Sequence, residues 1–458
     1  MDPRQKCALA VEGGPSQSWG LGHKEVGTLR MDFKDTPYWW EAATPPTMPQ
    51  EAITATCDVA IIGAGFAGLT AALILCRAGR SVQVFDKQRP GEGASSRNGG
   101  ITSGNIKMSF SSMVSAFGKD TAMAIYSEGV AAREDLCRFI KDEKIDCHYK
   151  LTGRFTGAYK PKHYDRLARE VDFLNKHLGL GAKVISRSNQ HTEIGTDLYH
   201  GGVVRPDIGG LHPALLHQGI LKRALGEGVK IHGLTEVQGF TKARKGFHVI
   251  TSRGKTKARE LLVCTNGYTG RATPWLQRRI IPIPSQIIAT QTLPSDTIQR
   301  LMPKGRMLGE TRNIYHYYRP SPDGSRIIFG GRAGADTNDP WKKLEHLHMN
   351  LLELFPELKP VHITHSWSGY TGYTFDFLPK SVVNDGVHYA AGFCGSGVVW
   401  ARWFAKKSAM RIIGNSKESE SAFDDRPFKK RLFYRGNPWF LPWVIAWYQW
   451  KDKLGLER

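Results

Sequence analysis

Three glycines at close spacing form the clearest chemical signature of the chain. Gly63, Gly65 and Gly68 follow a short apolar run and precede a helical pattern that begins with Phe66 and Ala67. The first glycine permits a tight turn, the second lets the backbone approach a pyrophosphate, and the third lets the helix pack on the strand. A helix that begins here directs free N–H groups and the positive end of its dipole toward phosphates. The segment is therefore predicted to bind a pyrophosphate.

A carboxylate follows at the spacing that ribose binding requires. Asp86 ends the next apolar run, 23 residues after Gly63, and Lys87 follows it as a further candidate for cofactor contact. A carboxylate at this place accepts hydrogen bonds from ribose hydroxyls and disfavours the 2′-phosphate of NADP. Strand, glycines, helix, strand and acid occur in the order of a βαβ unit, so the sequence predicts a site for FAD or NAD.

The loop after Asp86 favours FAD over NAD. The chain continues with small residues from Gly93 to Gly100, with one arginine and one asparagine among them, where an NAD domain would start another strand and helix. Such a loop can bring backbone amides, hydroxyls and the guanidinium against a pyrophosphate and a flavin ring. The candidate cofactor residues in the loop are Ala94, Ser95, Ser96, Arg97, Asn98, Gly99 and Gly100.

This loop resembles that of the D-amino-acid-oxidase-type flavoproteins, which include glycine oxidase and sarcosine oxidase, and is most similar to the gamma-glutamylputrescine oxidoreductase branch. Further similar segments occur in the same order, so the resemblance covers about Tyr38 to Ile413. These segments are Gly210–Pro213, Val263–Tyr268, Trp367–Tyr370, Thr374–Pro379 and Gly392–Gly397. The resemblance adds Thr265, Asn266, Gly267, Gly395, Ser396, Gly397 and Val398 to the cofactor candidates.

The resemblance implies an α/β fold with a Rossmann-like FAD domain assembled from three chain segments. An α+β substrate domain with an antiparallel sheet is inserted between them. The expected divisions are an N-terminal arm (1–50), the FAD domain (51–110, 200–280 and 363–415), the substrate domain (111–199 and 281–362) and a basic, Trp-rich C-terminal segment (416–458).

The resemblance also implies hydride transfer from the carbon beside a neutral amine to flavin N5, followed by hydrolysis of the imine. The expected substrate is a secondary amine or amino acid with a carboxylate, such as an N-substituted glycine, an iminodiacetate-like diacid, a cyclic amino acid or a gamma-glutamyl polyamine. A net charge of +21 mildly favours an anionic substrate through electrostatic steering. The alternatives are a flavin dehydrogenase of an alpha-hydroxy acid or glycerol 3-phosphate, and a non-enzymatic flavin-binding scaffold. The sequence leaves open whether oxygen or a membrane quinone is the electron acceptor. It also leaves open whether the protein forms a homo-oligomer.

An aromatic segment supplies candidates for the substrate site. Alternation along a strand places Tyr315, Tyr317 and Arg319 on one face and His316 and Tyr318 on the other. One of these faces is expected to cover the flavin, which makes Tyr317 and His316 candidates. Packing within the sheet is the alternative for each of them.

Four further residues are weighed in the same way. Arg332 is a candidate fork for a substrate carboxylate, and Tyr370 and Tyr373 are candidate pocket walls. His212 precedes a proline at a helix start, which favours a cap or a packing residue over a base.

Two departures from the family pattern concern the attachment of the flavin. Many relatives have histidine where this chain has Ser396, and residues 95–100 contain no histidine to which a flavin could be linked. Cys394 is the remaining candidate tether, but a buried cysteine is more often inert. The FAD is therefore expected to be noncovalent.

The cysteine content and the distribution of charge argue against several other classes of protein. Seven scattered cysteines without a C-x-x-C pair do not indicate a disulfide framework or a structural zinc site, and no metal site is predicted. The first residues lack the apolar stretch of a secretory signal, so a cytoplasmic location is expected. The basic residues are spread along the whole chain without a nucleic-acid motif, so nucleic acid is not an expected partner.

Both ends of the chain contain aromatic segments. Pro37–Trp40 is interpreted as ordinary packing of the arm, with an aromatic anchor on the folded body as the alternative. Residues 426–458 contain eight basic and two acidic residues around a tryptophan-rich stretch. A helix begun by Pro442 would align Trp443, Trp447, Trp450 and Leu454 on one face. This pattern predicts a helix that lies on the cytoplasmic face of a membrane without crossing it; the alternative is packing on the same chain or on a second subunit.

Overall fold

The computed structural model describes residues 32–332 and 339–455. Residues 1–31 of the predicted arm, together with Glu457 and Arg458 of the C-terminal segment, lie outside the described residues.

The strands of the described residues are β1 (Thr56–Ile62), β2 (Val82–Phe85), β3 (Arg154–Gly157), β4 (Lys183–Ile185), β5 (Gly202–Arg205), β6 (Lys230–His232), β7 (Val237–Lys242), β8 (Phe247–Thr251), β9 (Gly254–Val263), β10 (Ile281–Thr290), β11 (Met307–Glu310), β12 (Tyr317–Pro320), β13 (Ile327–Gly331), β14 (Ile363–Tyr373), β15 (Lys380–Asn384) and β16 (Val387–Ala391). The helices are α1 (Phe66–Arg77), α2 (Ala94–Arg97), α3 (Phe110–Phe117), α4 (Lys119–Asp142), α5 (Pro161–Leu178), α6 (Pro213–Gly226), α7 (Pro274–Gln277), α8 (Ser295–Leu301), α9 (Pro340–Leu354), α10 (Gly397–Ile413), α11 (Ser416–Ser419) and α12 (Leu441–Leu454).

The first sheet has the order β15-β16-β9-β1-β2-β6, with the β7–β8 hairpin attached through β9. Strands β16, β9, β1, β2 and β6 run parallel. Val59, Ala60 and Ile61 of β1 are fully buried. Val59 and Ile61 pack with residues of α1, α6 and α10, and Ala60 packs on the other face with residues of β7 and β8. The predicted βαβ unit is confirmed as β1, α1 and β2, and the fold is α/β with a Rossmann-like domain.

The second sheet is largely antiparallel and has the order β14-β10-β13-β12-β11-β3-β5-β4. It takes strands from regions on both sides of the predicted boundaries. Both β5 and β14 pair within this sheet, although the sequence assigned their residues to the FAD domain. The structure therefore corrects the boundaries near 200 and 363. The sequences of β5 and β14 do not indicate which of the two sheets each strand joins.

Strand β14 connects the two domains. It pairs with β10 from Ile281 opposite Tyr373 to Thr290 opposite Ile363, and its last residues reach the turn after β9. A Cβ atom on Gly372 would lie 2.2 Å from Asn266 Oδ1, and one on Gly267 would lie 2.9 Å from the Tyr370 carbonyl oxygen. Only glycine permits this close approach of the two chain segments.

The N-terminal arm is bound to the predicted flavin loop. Tyr38–Glu41 forms a 3₁₀ turn, and the fully buried Trp39 donates its indole N–H to the Asn98 carbonyl at 2.9 Å. Trp40 donates its indole N–H to Ser96 Oγ at 2.8 Å. The interpretation as ordinary packing was therefore wrong, since these residues anchor the arm to the loop.

Helix α12 packs back on the domain through one face and exposes the other. Leu441, Ile445 and Asp452 are buried, whereas the predicted row of three tryptophans and one leucine is 47–76% exposed. Pro442 lies in the first turn, as the pattern predicted. Across the described residues, none of the helices combines the length and the apolar character needed to span a membrane.

Candidate active site

The glycine turn between β1 and α1 is closed by backbone contacts. Gly63 has a φ of +106°, and a Cβ atom on Gly68 would lie 1.8 Å from the Gly63 carbonyl oxygen. A Cβ atom on Gly65 would lie 2.7 Å from Ser95 Oγ, and the Phe66 N–H donates to the same hydroxyl at 2.9 Å. The glycine turn and the predicted flavin loop therefore lie against each other, and there is no space for a side chain at Gly65.

Asp86 is held in one orientation by the backbone. Its carboxylate accepts the Ala64 N–H at 2.8 Å and the Gln88 N–H at 2.9 Å. Burial raises the pKa of Asp86, although these two donors oppose the shift. Since each carboxylate oxygen has a second lone pair, the group can still accept hydrogen bonds from two ribose hydroxyls.

A cleft begins at this turn and extends toward the N-terminus of α10. The predicted cofactor residues that line it are Gly63, Gly65, Phe66, Ala67, Asp86, Lys87, Ala94, Ser95, Asn98, Thr265, Asn266, Gly395, Gly397 and Val398. The lining also includes Glu236, Tyr268 and Phe393, which the sequence analysis did not identify. Tyr268 and Phe393 belong to segments that the resemblance had marked, whereas no local motif marks Glu236.

Seven of the predicted cofactor residues support the cleft but are not part of its lining: Gly68, Ser96, Arg97, Gly99, Gly100, Gly267 and Ser396. Ser96 donates its hydroxyl to the Gly91 carbonyl at 2.7 Å. Arg97 donates from Nε to the Glu92 carbonyl at 2.7 Å, and its guanidinium lies 4.5 Å from the Trp40 ring centre. Two of its donor atoms, Nε and Nη1, thus hold the loop and the neighbouring strand β14, and its contact with the cofactor stays a prediction.

The two glycines that end the loop contact β12. A Cβ atom on Gly99 would lie 2.9 Å from the Tyr317 ring, and one on Gly100 would lie 2.1 Å from the Leu211 carbonyl oxygen. Arg319 is buried and donates to the carbonyls of Gly100 and Leu211 at 3.2 and 2.8 Å. The face of β12 that carries Tyr317 and Arg319 is thus the one that meets the loop.

The N-terminus of α10 opens onto the cleft. Gly395 has a φ of +90°, and the first N–H groups of the helix, at Gly397 and Val398, have no intrahelical acceptor. Ser396 donates its hydroxyl to the Asn105 carbonyl at 2.9 Å, which directs it away from the helix. These N–H groups and the helix dipole suit an electronegative carbonyl of a flavin ring.

Arg332 lies directly behind this turn. Its Nη2 atom donates to the Tyr373 hydroxyl at 2.5 Å and to the Tyr315 hydroxyl at 3.3 Å, and a Cβ atom on Gly395 would lie 3.0 Å from it. Burial by itself lowers the pKa of Arg332, but the neighbouring Tyr315 and Tyr373 raise it above its ordinary value. Within the described part of the chain, the buried Nε atom has no hydrogen-bond partner.

A second cation joins this group. Lys107 Nζ lies 3.8 Å from the centre of the Tyr315 ring. Burial raises the pKa of Tyr315, but Arg332 and Lys107 outweigh that effect and hold it well below its ordinary value. The sequence analysis did not identify Lys107, because an isolated lysine in a loop carries no local signal. We call Lys107, Tyr315, Arg332 and Tyr373 the arginine–tyrosine group.

The other substrate candidates lie in different surroundings. Tyr317 is next to the group, with its hydroxyl 3.0 Å from Ser285 Oγ. Tyr370 lines the cleft farther along, where it packs edge-to-face on Tyr268. His316 is on the opposite face of the strand, where its Nδ1 atom contacts Glu310 Oε1 at 2.7 Å. His316 is not part of the lining of the cleft, and neither are Arg332, Tyr317 and Tyr373. The contact of His316 with Glu310 indicates a structural position, and its catalytic role stays a prediction.

Two buried histidines have structural positions. His212 accepts the Leu215 N–H at the start of α6, which is the predicted cap. His217 donates from Nε2 to the Ala64 carbonyl at 2.8 Å and thereby supports the glycine turn. Burial lowers the pKa of each to about 4, so both are neutral near pH 7.

The glycine turn, the oriented carboxylate and the exposed N-terminus of α10 agree with a comparison to known families. A family model described as FAD dependent oxidoreductase matches residues 58–411. The chain belongs to this family. It is an FAD-dependent oxidoreductase, as the loop and the glycine motifs predicted.

Individual relatives of this oxidoreductase share about a quarter of its residues. It is 28% identical to the gamma-glutamylputrescine oxidoreductase of Escherichia coli (strain K12), over 88% of this chain and 94% of that protein. It is also 28% identical to the probable oxidoreductase OrdL of Rhizobium meliloti (strain 1021), over 91% and 97% of the two chains. The crystal structure of glycine oxidase from Geobacillus kaustophilus is 20% identical and superposes with a TM-score of 0.70, covering 83% of this chain and 99% of that one.

The residues of the oxidoreductase fit FAD at three points of the cleft. The Gly63–Gly68 turn is shaped for the pyrophosphate, and Asp86 for the ribose of the adenosine part. The N–H groups at Gly397 and Val398 are positioned for the ring carbonyls. Gly65 supports this fit, because any side chain there would occupy the cradle.

We predict that Gly65→Val abolishes FAD binding, since its side chain would displace Ser95 and fill the cradle. Asp86→Ala should weaken binding by about 1–3 kcal/mol, the cost of leaving polar partners unpaired. Titration of apoprotein with FAD, followed by flavin absorbance, measures both effects. Gly239→Val is the control, because a Cβ atom on this strand residue would meet nothing within 4 Å. Full flavin occupancy in both test variants would contradict the assigned cofactor site.

We predict that acid precipitation releases all FAD into the supernatant. The buried Cys394 thiol donates to the Gly392 carbonyl at 3.1 Å, and burial raises its pKa to about 11, so it is neither exposed nor ionised. Cys394→Ser should release the same amount. Yellow colour that stays in the wild-type pellet but not in the Cys394→Ser pellet would instead show a thioether link.

Proposed function

We propose that the enzyme oxidises a secondary amine or amino acid that carries a carboxylate, and that Arg332 binds the carboxylate. The observation that carries this proposal is the position of Arg332. It is a buried guanidinium next to the Gly395 turn, with its Nε atom still available as a donor. A fork of this kind matches a planar carboxylate by two parallel hydrogen bonds.

The neighbouring tyrosines hold the fork in place. Tyr315 and Tyr373 both accept from Nη2, which fixes the plane of the guanidinium. A carboxylate that takes Nε and Nη2 together replaces one of these two phenol acceptors. The chemistry that bound FAD supplies is the acceptance of a hydride from the carbon beside the amine, after which water hydrolyses the imine. The task of the arginine–tyrosine group is to orient that carbon toward the cofactor.

The relatives support an amine substrate. Gamma-glutamylputrescine and glycine, for which two of the similar proteins are named, each contain an amine and a carboxylate. A flavin dehydrogenase of a hydroxy acid or of glycerol 3-phosphate is the alternative, and it would need a base near the reacting carbon. The arginine–tyrosine group contains two cations and two phenols, which suits binding of the carboxylate of an amino acid. Oxygen and a quinone both remain candidate acceptors.

We predict that Arg332→Lys raises KM for carboxylate-bearing amines by about 10- to 100-fold with little change for an amine without a carboxylate, because lysine cannot form the planar fork. The panel consists of N-methyl amino acids, iminodiacetate, benzylamine and glycerol 3-phosphate. Peroxide release and reduction of a quinone analogue are both measured. Arg300→Lys, in an exposed ion pair with Glu357, is the control. Turnover of glycerol 3-phosphate alone, or an unchanged KM in Arg332→Lys, would refute the proposal.

We also propose that the enzyme binds the surface of an anionic membrane on its cytoplasmic side. The exposed face of α12 continues into Leu432, Phe433 and Trp439, which are 85%, 88% and 64% exposed. Lys429, Lys430, Arg431 and Arg435 are close to Leu432 and Phe433 in sequence and are exposed. Tryptophan between basic residues suits the headgroup region of a bilayer. A second copy of the chain would be repelled by the same positive charge.

We predict that the protein floats with liposomes that contain anionic lipid and not with neutral liposomes. The triple substitution of Trp443, Trp447 and Trp450 by serine should abolish flotation and leave turnover unchanged. Substitution is preferred to deletion of residues 436–458, because deletion would also remove the buried Asp452. Leu151→Ser, at a residue that is 59% exposed elsewhere on the surface, is the control. Absence of flotation by the wild-type protein, or its persistence in the triple variant, would exclude this surface as the contact.

A further inference from the structure

The buried face of α12 supplies one carboxylate to the segment that leads to Tyr315. Asp452 Oδ1 accepts both the backbone N–H and the side-chain Nδ2–H of Asn313, each at 2.7 Å. Its Oδ2 atom accepts the backbone N–H of Ile314 at 3.0 Å. Three donors from two consecutive residues therefore converge on a single side chain that is 139 positions away in sequence from Asn313.

These donors belong to a turn that precedes β12. Residues 311–316 connect β11 to β12 and contain no strand or helix, so the sheet does not satisfy their N–H groups. Buried backbone N–H groups need an acceptor, and a carboxylate is a stronger acceptor than a neutral oxygen. Asp452 performs the function that a strand partner performs elsewhere in the sheet.

A second carboxylate holds the other side of Tyr315. Glu310 accepts the His316 backbone N–H at 3.0 Å and contacts His316 Nδ1 at 2.7 Å. Burial alone would raise the pKa of Glu310, but Arg312 and His316 lower it to about 2, so it is ionised. Tyr315 is thus the one residue between two backbone segments that are each fixed by a carboxylate, and its side chain is directed toward Arg332 and Lys107.

We propose that Asp452 is a positioning residue of the substrate site, which places Tyr315 against Arg332 through the backbone of Asn313 and Ile314. The proposal rests on the proposed function only in regarding Arg332 as the carboxylate-binding residue. The C-terminal helix is then part of the active site, although none of its side chains touches the arginine–tyrosine group. Tyr315 in turn fixes the guanidinium, so loss of Asp452 should affect binding of the substrate more than turnover.

The test is Asp452→Asn, which keeps the shape of the side chain but replaces one acceptor oxygen by an N–H group. If Oδ1 keeps its two bonds, the new amide donor faces the Ile314 N–H, and the turn must loosen. Hydrogen exchange of the 311–316 peptide should become faster, and KM for the preferred carboxylate-bearing amine should rise about tenfold, the effect of one lost charge-assisted bond. The kcat should change less than twofold. If the Asp452→Asn variant does not retain FAD, the same measurements are made on Asp452→Glu.

A spectroscopic measurement reports on Tyr315 without a substrate. The tyrosinate absorbance of the wild-type protein minus that of Tyr315→Phe gives the ionisation of Tyr315. Because Arg332 and Lys107 lower the pKa of this phenol, displacement in Asp452→Asn should move its ionisation to higher pH. Lys453→Gln, at the exposed neighbour of Asp452 on the same helix, is the control and should change none of these quantities.

The outcomes separate this proposal from the proposed function. Unchanged exchange in Asp452→Asn, or faster exchange without any shift in the Tyr315 titration, would overturn the positioning role. If exchange and titration both respond while Arg332→Lys leaves KM unaffected, Asp452 positions Tyr315 as proposed and the carboxylate assignment is wrong. If all three measurements respond in Asp452→Asn and Arg332→Lys raises KM, both proposals stand.

Discussion

The structure depends on how the carbonyl groups of the flavin loop are satisfied. Residues 93–100 have no neighbouring strand to pair with, and a loop beside a cofactor cannot leave buried carbonyls without donors. Several of the donors are side chains from distant parts of the chain. Trp39 binds the Asn98 carbonyl, Trp367 binds the Arg97 carbonyl at 2.8 Å, and Arg319 binds the Gly100 carbonyl. Each is buried, so the loop is held by the arm and by both strands that flank the substrate site. Cofactor and substrate sites are therefore parts of one hydrogen-bonded arrangement.

The proposed substrate site is characterised by two neighbouring cations, one on each of two chain segments. Arg332 and Lys107 both lie against the ring of Tyr315, at 5.0 and 3.8 Å from its centre. Two neighbouring cations repel each other unless an anion compensates. Ionisation of Tyr315 offers partial compensation, and a bound carboxylate would offer more. This is the physical reason to expect that ligand affinity in this enzyme comes from electrostatics.

Local patterns were sufficient for the parts of the site that are contiguous in sequence. The glycine turn, Asp86 and the start of α10 were predicted because each combines a strand or helix end with a short motif. The contacts of Arg97 were not predicted, because the Ser368 carbonyl, which accepts from its Nη1 atom, is brought to it by tertiary structure. The sequence analysis also did not assign β14 as a strand, since Gly369, Gly372 and neighbouring hydroxyl residues interrupt its apolar pattern. Lys107 and Asp452 were missed for the same reason, as one charged residue in a loop or helix has no signature until its partners are known.

The contact between Asp452 and Asn313 has a consequence for the order in which the protein matures. Domains of a growing polypeptide generally fold from the N-terminus during synthesis, and the β1–α1–β2 unit can form as soon as its residues emerge. The turn before Tyr315 must wait until more than a hundred further residues have been made, because its acceptor is on α12. A nascent or prematurely terminated chain can thus acquire its nucleotide-binding turn while its substrate pocket is still incomplete. The pocket is completed only after α12 has been synthesised, which separates the moment of cofactor capture from the moment of catalytic competence.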